Sequence, residues 1–348
     1  MSHATNGPRA VRVAPDWLPN TNHIGLYVAD ALGYYAEAGL RLELLPFDGE
    51  AMPNRKLPAG EAEFGLMPQQ SILSMRSRGL DVVSVAVLAR TNTTALLVRA
   101  ASDITRPAEL AGKRYASYGT RFEVAMIADM IRRDVDTPRC WFPFADQETA
   151  RDDLIQRGAA RGPELVPAEK LDILQALYAG EIDVAWGFYA WEGIQAQLAG
   201  HQLRHFFVTE YGVPNEYFPL LFTTRRLIAS DPETVGAFAR ATLRGYTYAA
   251  AHPEEAAELF LGRADRALLP PHTDELVRLS MRWLAPRLNG TLAGVPSGQH
   301  WGWHERETWA AFAAYIRRLA REHGLPPSAP DAEETGYTNH FLVASSFA

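Results

Sequence analysis

Cysteine is all but absent: Cys140 is the single one in 348 residues. One thiol excludes an internal disulfide and any metal cage built from cysteines. Lysine is nearly as scarce, at Lys56, Lys113 and Lys170, so lysine-based covalent chemistry has few candidates. Positive charge is in deficit as well, since 34 Lys and Arg against 41 Asp and Glu leave −7. That balance argues against sequence-independent nucleic-acid binding and against docking on an anionic membrane. No apolar run approaches the ~18 residues of a spanning helix, so direct membrane insertion is not expected. The stretch from Met1 to Arg12 is polar and lacks the apolar core of a secretory leader. Two placements stay open: the cytoplasm, or export with a leader that this chain does not carry.

Familiar catalytic signatures are missing too. There is no G-x-G-x-x-G and no Walker loop, so a nucleotide-phosphate cradle is unsupported. No G-x-S-x-G elbow and no H-E-x-x-H are present. His201 and His205, like His300 and His304, are four apart, a spacing that on a helix brings two imidazoles together. No third ligand is evident for either pair, and no metal is expected. Glu254 and Glu255 fit a helix first turn, where the dipole favours them, better than a catalytic pair.

What is present is an ordinary globular composition, 47% hydrophobic and 22% charged, long enough for about two domains. Strand, polar loop and helix repeat along it. Strands are predicted at 12–14, 40–45, 62–66, 82–88, 94–99, 114–117, 182–186, 206–208 and 219–223. Ile24, Tyr27, Val28, Ala31 and Tyr35 recur at helical spacing up to Gly39. Val124, Ile127, Ala128 and Ile131 form an apolar stripe on a second helix. Beyond Ser230 the chain reads as mostly helical, beginning with the strong start Asp231-Pro232-Glu233. Alternating strands and helices imply an α/β fold with mostly parallel sheets. Ligands of such folds sit beyond the carboxyl ends of strands.

That rule selects four junctions. Asp16-Trp17-Leu18-Pro19-Asn20-Thr21-Asn22-His23 joins an aromatic face to amide and imidazole groups at a helix start. Asn20 and Thr21 are equally natural as plain helix caps. Met67-Pro68-Gln69-Gln70-Ser71 offers amides and a hydroxyl, and Gln69 is the candidate there; solvated glutamines are the plain alternative. Tyr118-Gly119-Thr120-Arg121-Phe122-Glu123 offers a stacking face at Tyr118 and a carboxylate at Glu123.

The fourth junction is the most informative. Trp186-Gly187-Phe188-Tyr189-Ala190-Trp191-Glu192-Gly193 packs four aromatics, two glycines and one carboxylate into a strand-to-helix turn. Loops normally face water, so one this apolar is unusual. Trp186, Tyr189 and Trp191 around Glu192 suit a flat nitrogenous ring, which stacks while the carboxylate accepts from an amino group and a ring N–H. The plain alternative places Glu192 at the positive end of a helix, with the aromatics as core.

The opening run 16–29, followed by Gly33-Tyr34-Tyr35 and Gly39-Leu40, resembles the thiamine-pyrimidine family. That family comprises solute-binding proteins of ABC importers for formylaminopyrimidine-type precursors, together with a thiamine pyrimidine synthase. The likeness continues through Glu61-Ala62-Glu63-Phe64-Gly65-Leu66, Pro107-Ala108-Glu109-Leu110-Ala111-Gly112-Lys113, Gly180-Glu181-Ile182-Asp183-Val184-Ala185 and the closing Tyr337-Thr338-Asn339. It implies a periplasmic-binding-protein type II fold, with two lobes of mixed sheets and a ligand cleft at the hinge. Lobe 1 would hold residues 10–100 and 206–348, and lobe 2 residues 101–205.

The resemblance also separates two activities. The synthase branch uses a lysine to bind pyridoxal phosphate and, a few residues on, a histidine. The matching positions here are Met67 and Ser71, and the synthase's cysteine cluster is absent. The expectation is therefore a binding protein without catalysis and without a cofactor. It would capture a thiamine pyrimidine precursor or similar flat heterocycle, with an ABC permease as partner where the protein is exported, at the periplasm or cell surface. A synthase-like enzyme and a cytoplasmic carrier or sensor on the same fold are the alternatives. The ligand-binding set is Trp17, Asn20, Asn22, His23, Gln69, Tyr118, Glu123, Trp186, Tyr189, Trp191 and Glu192. In the family, Tyr189-Ala190-Trp191-Glu192-Gly193 matches an aromatic clamp whose usual form is a Tyr-Trp-Asn-x-Glu run.

Overall fold

Ten short apolar runs bounded by turn residues become strands: β1 (Arg9–Ala14), β2 (Leu40–Leu44), β3 (Phe64–Met67), β4 (Val82–Val87), β5 (Thr94–Arg99), β6 (Arg114–Ser117), β7 (Glu164–Pro167), β8 (Val184–Phe188), β9 (Leu203–Phe207) and β10 (Leu220–Thr224). The computed structural model describes residues 7–47, 52–117, 122–134, 164–167, 172–288, 301–324 and 336–342. Tyr118, Cys140, Lys170 and His300 lie outside the described residues. The chain divides into two units, one of Met1–Asn92, Glu216–Ala313 and Ser328–Ala348, the other of Thr93–Asn215 and Ala314–Pro327. Among the described residues, no helix is long and apolar enough to cross a membrane.

The two units use one strand plan. The first sheet runs β2-β1-β3-β10-β4 and the second β7-β6-β8-β5-β9. In the first, β1 pairs in parallel with β2 and β3, and β10 is antiparallel to both β3 and β4. In the second, β6 pairs in parallel with β7 and β8, and β5 is antiparallel to β8 and β9. The sheets are thus mixed, and the mostly parallel pattern read from alternation alone needs that correction. In each unit the antiparallel strand is the one the chain forms on entering or re-entering that unit.

This pairing also moves the expected lobe boundaries. Residues 93–100, expected in lobe 1, belong to the second unit, because β5 hydrogen-bonds to β8 and β9. Residues 206–215 go with it, because β9 extends to Phe207. Residues 314–327 also fall in the second unit, where the Arg306–Glu322 helix supplies Arg318 to the buried Asp129. Asp129 is fully buried on the Glu123–Asp134 helix and receives Arg132, Arg133 and Arg318. Burial alone would raise its carboxyl, but hydrogen bonds from Arg318 and Arg133 and the charge of Arg132 outweigh that and hold it at about 2.

In the first unit, the Phe238 ring stacks on Phe64 and Tyr35 at centroid distances of 4.5 and 4.9 Å. Each such buried ring contributes roughly 1.5–3 kcal/mol. The Ile24–Ala31 helix crosses the Pro232–Ala251 helix where Gly25 meets Gly245. A Cβ on Gly245 would sit well inside contact range of the Gly25 carbonyl oxygen, so both positions need glycine for the backbones to approach. The closing Tyr337-Thr338-Asn339 lies along the free edge of β4: Ser84 N–H donates to Gly336 O, and Thr338 N–H donates to Ser84 O. His304 fastens it, with Nδ1 2.9 Å from Asn339 Oδ1 and Nε2 2.7 Å from Ser84 Oγ. The second unit's core is built on Leu97, Ala116, Leu177, Ile182 and Ala185.

Candidate functional site

β1 ends at Ala14, and the chain turns through Asp16 and Trp17 into the short Thr21–His23 turn that leads the Ile24–Ala31 helix. Asn20 makes the turn: its Oδ1 accepts the Asn22 N–H at 2.8 Å, and its Nδ2 donates to Leu18 O at 2.9 Å. Both polar ends of Asn20 are engaged locally, which is the capping role. His23 is buried, and its Nε2 lies 2.8 Å from Asp16 Oδ1, so a carboxylate the sequence reading passed over fixes the imidazole. Trp17 keeps an exposed face, 37% of its surface, and leans on Phe47 at a 4.8 Å centroid distance. Asn22 is buried in the same turn, with its carbonyl held by the Tyr246 hydroxyl.

β3 lies beside β1, so the 67–71 junction sits next to this turn. Gln69 points inward: it is fully buried, and its Nε2 donates to Trp309 O at 2.9 Å. Its Oε1 has no hydrogen-bond partner. Met67 is buried on β3 and Ser71 lies in the first turn of the Gln69–Ser77 helix. The first offers no amine and the second no imidazole.

In the second unit, the end of β8 runs into a five-residue π-helical turn, Tyr189–Gly193, before the Ile194–Leu198 helix. π-turns are uncommon and concentrate at functional sites. The turn folds Glu192 back over its own strand, and its Oε2 accepts the Phe188 N–H at 2.8 Å. Glycines make room for this. A Cβ on Gly187 would come within 2.7 Å of Leu97 and 3.3 Å of Glu192 Oε2. A Cβ on Gly193 would reach 2.9 Å from the Tyr189 ring and 3.0 Å from His205 Nε2.

Glu192 is partly exposed, yet its surroundings are protein-rich. Burial pushes its carboxyl up to about 7, only partly offset by the backbone N–H groups of Phe188 and of Glu192 itself. Trp191 is buried, while Trp186 and Tyr189 are half-buried. The Tyr189 ring meets His205 edge-on at 4.6 Å. Burial pushes His205 down, and its Nε2 has no hydrogen-bond partner. The structure therefore gathers Trp186, Tyr189, Trp191 and Glu192 at one strand end. Glu123, buried at the next helix start, is taken by the Tyr115 hydroxyl. Tyr118 lies outside the described residues.

The His201–His205 spacing does not form a pair. His205 lies on β9, where four residues span a strand and not one helical turn, and His201 stacks on Tyr178 at 3.6 Å. His304 is a clasp for Asn339 and Ser84. Glu216, not among the residues singled out by sequence, lies in an aperiodic stretch before β10. Glu216 is buried, and its Oε1 accepts the Gln70 N–H at 2.8 Å.

Comparison with known proteins follows the same lines. A family model described as NMT1/THI5 like matches residues 20–137 and 158–256. The chain is 26% identical over 307 residues to the formylaminopyrimidine-binding protein of Halalkalibacterium halodurans, covering 88% of this chain and 84% of that one. It is 24% identical to a 4-amino-5-hydroxymethyl-2-methylpyrimidine phosphate synthase of Legionella pneumophila, covering 70% of each chain. In three dimensions it resembles the periplasmic aliphatic sulphonate binding protein of Escherichia coli, with a TM-score of 0.61 at 15% identity over 94% of this chain and 92% of that one. The fold is that of the periplasmic binding proteins.

Proposed function

Because the chain belongs to the NMT1/THI5-like family, we propose that it is the solute-binding protein of an ABC-type importer and that it captures an aminopyrimidine of the thiamine-precursor type. One observation carries the choice of ligand: the Glu192 carboxyl, held by backbone N–H groups alone and pushed up to about 7, in the π-helical turn Tyr189–Gly193 at a strand end. A carboxyl so placed lacks a cation and has acceptor capacity to spare. An aminopyrimidine supplies an amino N–H and, when its ring nitrogen is protonated, a charge-assisted second bond. Aromatic faces supply the stacking. The formylaminopyrimidine-binding relative supports this ligand class.

The synthase-like reading has the Legionella relative in its favour. Against it stand Met67 and Ser71, since methionine forms no imine and serine has no imidazole to give. A carrier or sensor that works without a permease would use the same binding groups.

The test is a titration of tryptophan fluorescence with hydroxymethylpyrimidine, formylaminopyrimidine, thiamine, riboflavin and an aromatic acid, on wild type and Glu192→Ala. Saturable quenching by an aminopyrimidine, lost in the variant, is the expected result. Silence with every pyrimidine, or binding that the variant retains, overturns the ligand assignment. Turnover of pyridoxal phosphate in the presence of iron would favour the synthase.

A further inference from the structure

β9 breaks its own pattern. Leu203, His205 and Phe207 alternate along the strand and share one face, with Leu97 opposite His205 and Ala95 opposite Phe207. Leu203 and Phe207 pack against the second unit's core, of which Ala95 and Leu97 are part. The middle position of that face would ordinarily carry an apolar side chain, and it carries an imidazole. The Nε2 of His205 is sealed from solvent and has no hydrogen-bond partner among the described residues. A buried polar atom left unanswered costs stability. A residue that breaks the local rule without a local gain belongs, as a rule, to a functional site.

What the imidazole touches is the π-helical turn. Tyr189 meets it edge-on at 4.6 Å, with the ring planes 75° apart. Phe207 completes the bracket, its centroid 6.3 Å from both rings. Gly193 closes the remaining space: a Cβ there would come within 2.9 Å of the Tyr189 ring and 3.0 Å of His205 Nε2. An edge-on pair of rings has a preferred orientation, which an aliphatic neighbour does not impose. Resting on the reading above, in which an aromatic face of this turn stacks on the ligand, we infer that His205 is a positioning residue whose imidazole fixes the Tyr189 ring in the orientation that receives the ligand. Fixing the ring beforehand removes an ordering cost from binding. The stability lost at β9 is the counterpart of that gain.

The test uses the full chain with hydroxymethylpyrimidine as probe and compares wild type with His205→Leu and His205→Gln. Leucine fills the position with apolar volume; glutamine keeps a polar group but no ring. Three quantities are read: the urea midpoint, the dissociation constant from calorimetry, and the NMR order parameter of the Tyr189 ring axis in tyrosine-labelled protein without ligand. In wild type that ring should be as ordered as rigid backbone. His205→Leu should raise the urea midpoint, lower the order of the ring, and weaken the probe by about three- to tenfold. His205→Gln should loosen the ring and weaken the probe alike without raising the midpoint, and it carries the test if the leucine variant does not fold. Lost affinity in a more stable protein is a result that a merely structural histidine does not give. A ring already mobile in wild type, or equally ordered in both variants, overturns the inference, and neither result needs a ligand. A loosened ring with unchanged affinity overturns it too. Wild type that does not bind the probe overturns the aminopyrimidine reading and with it the ligand role of His205, while the ring's order decides separately whether His205 holds Tyr189.

Discussion

The Tyr246 hydroxyl donates to the Asn22 carbonyl at 2.5 Å, tying the long Pro232–Ala251 helix to the turn that carries Asn22 and His23. Tyr246 reaches that carbonyl because Gly25 and Gly245 let the two helices come together. The turn that carries Asn22 and His23 is thus set by a glycine contact one residue away from Tyr246.

Gly245→Ala should therefore harm both stability and binding. The clash is with backbone, which cannot swing aside, so the cost should be about 3 kcal/mol or more. Tyr246→Phe keeps the ring and removes one hydrogen bond, for about 1–2 kcal/mol. Urea midpoints give the stability change, and ligand titration gives the second effect. A Gly245→Ala protein with wild-type midpoint and affinity would contradict the contact.

Asp129 should be the most sensitive ionic position of the second unit. Removing it with Asp129→Ala leaves Arg132, Arg133 and Arg318 around a buried vacancy, and breaking such a cluster costs about 3–5 kcal/mol. Its carboxyl is held down at about 2, so its contribution is complete above the ordinary carboxylate range and fades as pH falls toward 2. Wild type and variant should converge in stability under strong acid, as read by denaturant melts across pH. A constant gap down to pH about 2 would refute the assignment.

His304 should make the first unit acid-sensitive in a different window. Burial pushes its imidazole down to about 4, partly opposed by Asn339. The folded state keeps it neutral while the unfolded chain takes up a proton. Stability is therefore full above the ordinary histidine value of 6.5 and declines as pH falls to about 4, by roughly 3 kcal/mol in all. His304→Gln should flatten that slope. A melting profile with the same slope in both proteins would exclude His304 as its source.

Much of the scaffold was legible because strand signals are local. β5 and β6 lie where their apolar runs begin and end, and the positive φ of Gly39, Gly180 and Gly200 follows from their places at helix ends. β7 was not legible: it is short and carries Leu165 half exposed, so no alternation marks it. The Pro53–Ala59 helix was hidden by Pro53 and Pro58 and has no apolar period. At the site, the two glycines and the carboxylate of 186–193 were readable as a group. That Glu123 would be taken by Tyr115 was not, because that bond joins β6 to a helix start. Glu216 escaped for the same reason: its significance lies in Gln70, 146 residues away in sequence.

Glu192 yields the sharpest prediction, because it ties stability and binding to one proton. Its carboxyl is raised from the ordinary 4.5 to about 7, so the folded protein holds a proton that the unfolded chain releases between those values. The group is neutral and harmless below pH 4.5. As pH rises through 7 it ionises without a cation, and stability falls by on the order of 2 kcal/mol, discounted for its partial exposure. Glu192→Gln keeps an oxygen for the Phe188 N–H and removes the titration. Its melting temperature should match wild type near pH 4.5 and exceed it above pH about 7 by a few degrees. A saturating aminopyrimidine should reverse the order at pH about 8, since the ligand answers the charge in wild type and finds none in the variant. If the variant were destabilised at every pH, or if ligand stabilised both proteins equally, Glu192 would be a structural carboxyl and the ligand would be read elsewhere.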